Sequence, residues 1–178
     1  MNKKVIKLAF CGMFAAIIAI MTFITIPSPI GINFTLQTFA IALCGYMLGT
    51  KYGLISTLVY MAVGFMGLPI FSGFRGGFAV LVSPTGGFLV GFIPFVILCG
   101  LGLRCKTKIM QITLGVIGQL TCHLFGIIQF AYISNVSFYE SFILISMNFL
   151  VKDFLSVIAG YFVAIALKKA LFKAGLQL

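Results

Sequence analysis

Acidic side chains are almost missing from this sequence: Glu140 and Asp153 are the two carboxylates among 178 residues. With so few, and with no His-Glu-x-x-His motif, a membrane enzyme such as a protease has neither a metal constellation nor a credible nucleophile with its base. No glycine-rich phosphate loop followed by Lys and Ser or Thr occurs, which leaves the chain without an ATPase site. Five cysteines, Cys11, Cys44, Cys99, Cys105 and Cys122, form no Cys-x-x-Cys pair, so they supply neither a disulfide framework nor a closed zinc set. They read as small apolar residues. Charged residues of both signs make up 8% of the chain, against roughly 25% in soluble domains.

What is present is apolar. The 62% hydrophobic content and mean hydropathy of +1.23 exceed what a water-soluble domain can hide, and they place the chain in a membrane. A net charge of +10 invites a nucleic-acid reading, but the basic residues form no contiguous stripe. They mark topology instead.

Hydropathy and breakers predict six spans, at about Val5 to Ile26, Phe34 to Leu48, Tyr52 to Leu68, Phe88 to Leu103, Ile109 to Ile133 and Phe142 to Leu171. The first ends at Pro27-Ser28-Pro29, not at a small-residue cleavage pattern, and reads as a retained span. With both termini cytoplasmic, Lys3, Lys4, Lys7, Lys51, Arg104, Lys106, Lys108, Lys168, Lys169 and Lys173 all fall inside, ten of the twelve basic residues. A five- or seven-span chain would send the C-terminal lysines outward. No soluble domain or linker interrupts the pattern, so residues 1–178 read as a single all-α integral membrane domain.

Two departures from uniform apolarity point to function. Between Gly64 and Gly91 the chain carries eight glycines in 28 residues, with Pro69 and Pro84, on the outer side between the third and fourth helices. Glycine lets backbone approach backbone or ligand closely, so this outer loop is the expected lid. Lys152 and Asp153 lie deep in the last span. A charge at membrane depth is costly and usually serves a binding or transport role with a partner nearby. Gln119 and His123, four apart on the fifth helix, are expected to join helices by hydrogen bonds, and no carboxylate lies near them in sequence.

The segments Phe34-Thr35-Leu36-Gln37-Thr38, Tyr60 through Gly73 and Pro84 through Phe92 resemble the BioY family in order and spacing, and the likeness runs from the first helix to the last. The resemblance implies a biotin-specific substrate-binding component of an energy-coupling factor transporter. Such a component captures biotin at the outer face without being an enzyme and without a cofactor. It implies, as partners, a membrane coupling subunit and two cytoplasmic ATPases, and as location a bacterial plasma membrane. A component for a related vitamin, or a structural membrane subunit, stays open as an alternative.

Carried onto this sequence, the family's last-helix aspartate falls on Asp153. Ser156 stands where the family has lysine, and Lys152 is about 100° away from Asp153 around the helix. Biotin wants apolar walls for its rings, acceptors and donors for its ureido group, and a cation or hydroxyls for its carboxylate. Asp153 is the expected ureido acceptor, with Asn33, Thr35, Gln37 and Asn148 as amide or hydroxyl partners and Phe71 and Phe74 as ring covers. Arg75, Lys152 and Ser156 compete for the carboxylate. On the first helix, Ala15 with Ala19 and Gly12 with Ala16 form small-residue faces that permit close helix approach. The resemblance makes this region, Ala15 and Ala19 foremost, the expected dock for the coupling subunit.

Overall fold

The computed structural model describes residues 3–26 and 34–175. The Pro27-Ser28-Pro29 turn and Asn33 lie outside the described residues. Helix α1 covers Lys3–Phe23 and stops short of the expected Ile26. Thr25–Ile26 instead forms a two-residue strand, β1, paired antiparallel with β2, Phe34–Thr35. β-Branched side chains suit this extended geometry. The fold is therefore mostly helical, not wholly so, and the clip delivers Thr35 to the head of the next helix.

That helix, α2, is continuous over Gln37–Phe65 by its assigned bounds, where two helices were expected. It is not straight. Gly49 sits at φ 73°, ψ −177°, a region essentially reserved for glycine. Gln37 Nε2 donates to the Tyr60 hydroxyl at 2.7 Å, although these residues would stand about 35 Å apart along a straight helix. The chain reverses at Gly49, and residues 37–48 and 50–65 form an antiparallel pair. They approach closely: a β-carbon on Gly53 would lie 3.3 Å from the Cα of Gly45. Because the reversal needs a conformation closed to L side chains, Gly49→Ala is expected to destabilise the protein by about 1–3 kcal/mol. Thermal unfolding in detergent reads this as a lowered midpoint; an unchanged midpoint would show that the turn relaxes without strain.

Helix α3, Gly86–Gly102, and helix α4, Lys108–Ser134, follow as a tightly apposed pair. A β-carbon at Gly91 would come within 2.7 Å of the Cα of Cys122, so glycine is what permits this approach. Thr107 caps α4 by accepting from the Met110 N–H, and Asn135 ends it in the left-handed conformation, φ 52°. A one-turn helix, α5, Phe138–Ser141, is closed by a Ser137–Glu140 capping box, which accounts for Glu140.

The expected last span then divides into a π-helical turn, Phe142–Met147, and helix α6, Asn148–Lys173. Asn148 Nδ2 donates to the carbonyls of Leu144 (2.8 Å) and Ile143 (3.3 Å) in the preceding widened turn. Helix α2 packs against α1, α3 and α6, which makes it the central element.

Large apolar side chains cover the outside, among them Ile20, Leu144, Val151, Leu155 and Phe162. Such a surface belongs in lipid, not water. Among the described residues, the helices spanning Lys4–Phe23, Gln37–Phe65, Lys108–Ser134 and Phe138–Lys173 are long and apolar enough to cross a membrane, and α3 is shorter. On α1 the two small-residue faces separate. Ala15 is 8% exposed and belongs to the core with Phe14 and Ile18, whereas Gly12 and Ala16 are exposed and Ala19 is half-buried. The expectation that Ala15 fronts the docking face runs against this packing, because its methyl already fills space inside the bundle.

Candidate functional site

The segment between α2 and α3 is fastened at several points. Tyr60 donates to the Ile70 carbonyl at 3.1 Å, and the Phe71 ring stands edge-on to the Tyr60 ring at 5.6 Å. Phe71 lies so close over Gly64 that a side chain there would collide with its ring. Phe71 and Arg75 bracket a tight bridge, N–H to carbonyl in both directions at 2.9 and 3.3 Å. Farther along, Gln129 of α4 donates through Nε2 to the carbonyls of Leu81 (2.6 Å) and Ser83 (2.8 Å). These ties satisfy backbone groups that irregular chain near a membrane cannot leave exposed to lipid.

Beneath this segment lies a cavity of about 360 Å³, within the roughly 300–1,000 Å³ usual for small-molecule sites. Phe88, Leu89 and Phe92 of α3, Phe71 and Val80 of the covering segment, and Phe149 of α6 give it apolar walls. Its polar groups are segregated. Arg75, Ser72 and Thr85 stand at the covering end, and Thr35, Gln37, Thr38, Gln119, Lys152 and Asp153 stand on the helices. Arg75 is aimed by its own neighbours, donating from Nε to the Ser72 carbonyl and from Nη2 to Thr85 Oγ1, both at 3.0 Å. Three of its five N–H groups remain for other acceptors.

Asp153 is the hub of the helical set and is buried. Its Oδ2 accepts from Gln119 Nε2 at 3.1 Å and lies 3.0 Å from His123 Nε2. A carboxylate only accepts, so His123 Nε2 carries the proton facing it. The other ring nitrogen lies 3.0 Å from the Ser146 hydroxyl, which the π-helical turn directs inward. Lys152 Nζ pairs with Asp153 Oδ1 at 2.5 Å and also reaches the Thr35 carbonyl at 3.0 Å and Thr38 Oγ1 at 3.4 Å. The long stem of Lys152 thus spans the 100° that separates the two residues around α6 and ties α6 to the head of α2. Among the described residues no cluster of three or more His, Cys, Asp or Glu forms.

Of the residues singled out from sequence, Asp153, Lys152, Arg75, Thr35, Gln37 and Phe71 line this cavity together. Gln37 directs its amide nitrogen to Tyr60. Asn148 and Ser156 fall elsewhere, on an open groove between α6 and the start of α2, shared with Leu36, Phe39, Val151 and Leu155. Ser156 lies about 60° from Asp153 around the helix, enough here to turn it to the other side. Phe74 is 66% exposed and stacks on Phe23 of α1 at 5.1 Å, away from the cavity. Asn33 lies outside the described residues. Sequence reasoning assigned Gln119 and His123 to helix joining, which they do, but placed no carboxylate near them. The partner was 30 and 34 residues away, and the signal that could have suggested it is that a lone buried carboxylate needs donors.

An apolar bundle enclosing an aromatic-walled cavity, with an ion pair on one wall and a guanidinium at its cover, defines a membrane-embedded small-molecule binding protein. The chain belongs to the BioY family, whose model matches residues 1–173. It is 32% identical over 177 residues to "Probable biotin transporter BioY" of Lysinibacillus sphaericus, covering 94% of this chain and 89% of that protein. To "Probable biotin transporter BioY" of Pyrococcus horikoshii it is 35% identical, covering 73% and 76%. Against "Biotin transporter BioY" of Thermotoga maritima, identity is 46% over 53% of this chain and 56% of that protein. The fold is similar to a crystal structure of the S-component for biotin from an ECF-type ABC transporter, with TM-score 0.86, 28% identity and coverage of 94% and 93%.

Proposed function

We propose that this protein captures biotin and delivers it for uptake as the substrate-binding component of an energy-coupling factor transporter. The observation that carries the reading is the partly covered cavity in which the Asp153–Lys152 pair faces aromatic walls and a guanidinium. Asp153 accepts from the ureido group, the aromatic side chains hold the fused rings, and Thr35 and Gln37 frame the α2 wall. Biotin titration of the purified protein, alongside related vitamins, tests this. Saturable binding of biotin in preference to the others is expected; preference for another vitamin, or no ligand at all, would replace the reading with one of its alternatives.

The reversal at Gly49 supports six crossings by residues 1–178 as a single domain, the expected spans 34–48 and 52–68 being its two arms. That count returns both termini to one side, and the lysine and arginine distribution supports a cytoplasmic side for them, in what we take to be a bacterial plasma membrane. Partners are a membrane coupling subunit and two cytoplasmic ATPases, which supply the energy this chain has no phosphate loop to draw on.

For the biotin carboxylate, the arrangement favours Arg75. Lys152 is already engaged by Asp153, Thr35 and Thr38, whereas Arg75 presents a forked donor at the cover. Arg75→Ala is expected to weaken biotin by about 1.5–3 kcal/mol, the worth of hydrogen bonds to a charged group, and to affect biotin amide much less. Isothermal titration with the acid and the amide measures both. Equal losses for the two ligands would remove Arg75 from the carboxylate, and selectivity transferred to Lys152→Ala would award it to that residue.

A further inference from the structure

Gln119 holds an unanswered acceptor. Its side chain is 3% exposed on α4 and lines the cavity. Nε2 is committed to Asp153 Oδ2 at 3.1 Å, and this fixes which end of the amide points where, since turning it over would set two acceptors against each other. Oε1 then faces away from the carboxylate, buried and with no hydrogen-bond partner. Buried acceptors are rarely left in that condition, and an unpaired one at a cavity wall is a position for a ligand donor. Among the described residues the other buried side-chain oxygens without a hydrogen bond are Thr50 Oγ1, at the Gly49 reversal beside Gly100, and Asp153 Oδ1.

Asp153 completes the pattern. Its Oδ2 is occupied by Gln119 and His123, while Oδ1 has the charge of Lys152 at 2.5 Å without a well-aligned hydrogen bond. Gln119 Oε1 and Asp153 Oδ1 are thus the second heteroatoms of two groups joined by a single hydrogen bond, one from α4 and one from α6. Both belong to residues that line the cavity. A cyclic urea presents two N–H donors flanking its carbonyl, one for each of these two acceptors.

We infer that Gln119 is a specificity-determining residue whose side-chain oxygen accepts one ureido N–H of the ligand while Asp153 accepts the other. The inference rests on the biotin reading above. It makes His123 a positioning residue: its Nε2–H, with Gln119 Nε2–H, fills Oδ2, so that a ligand N–H meets Oδ1 beside Lys152.

The experiment compares biotin with two analogues, each having a different ureido N–H replaced by oxygen, which removes one donor without adding bulk. Against the unmodified protein, each analogue is expected to bind at least about tenfold more weakly than biotin, because each leaves one buried acceptor unmade. In Gln119→Leu, the analogue lacking the N–H that Gln119 accepts is expected to bind as well as biotin does, while the other keeps its deficit. Gln119→Met carries the same comparison should leucine prevent folding. One analogue retaining full affinity for the unmodified protein, or both deficits surviving in the variant, overturns the role of Gln119. Failure of the unmodified protein to bind biotin at all overturns instead the proposed function, and this inference with it.

Discussion

Asp153→Asn is expected to weaken biotin binding by about 2–5 kcal/mol, the cost of truncating one partner of a desolvated charged contact. The loss has two sources. An amide cannot match a carboxylate as an acceptor of the ureido N–H, and it turns an N–H toward either its Lys152 side or the donors Gln119 Nε2 and His123 Nε2. Lys152 keeps the Thr35 carbonyl and Thr38 Oγ1, so its charge is not stranded and the bundle is expected to persist. Titration with biotin gives the affinity, and thermal unfolding without ligand gives the stability. Unchanged affinity would sink the site assignment, while unfolding of the variant would show that the network serves the bundle first.

Replacing both Gly12 and Ala16 by Trp is expected to leave biotin binding by the isolated chain intact and to reduce coupled uptake to background. These positions share one exposed face of α1, and a β-carbon on Gly12 would meet nothing within 4 Å. Bulk added there is felt only by a partner that must approach closely. Ala15→Trp should behave differently. With Phe14 and Ile18 around it in the core, overpacking is expected to cost about 1–3 kcal/mol of stability. Co-purification with the coupling subunit separates these effects, and unimpaired assembly of the Gly12 and Ala16 double variant would exclude that face as the dock.

Much of the bundle was legible beforehand because a membrane enforces a local rule: long apolar runs, broken by glycine, proline and lysine. The α3 and α4 bounds fall within two residues of expectation for that reason. The end of α1 was misplaced because Thr25 and Ile26 are apolar enough for a helix, yet Phe34 and Thr35 offer them a strand partner. The π-helical turn before Asn148 left no hydropathy trace, since widening a turn changes hydrogen bonding and not polarity.

The sequence by itself determined that the protein lives in lipid, roughly where its apolar helices run, and that Asp153 is the charge to explain. Each follows from composition along the chain, which the solvent reads residue by residue. Only the tertiary structure decided which faces look inward. In a helix apolar on every side, no amphipathic stripe distinguishes core from lipid, so Ala15 and Ala16 are separated by neighbours and not by chemistry. For the same reason the donors to Asp153 came from α4, 30 and 34 residues away, and the lysine beside it reached the cavity by bending. A buried charge demands partners, but packing alone selects which helix provides them.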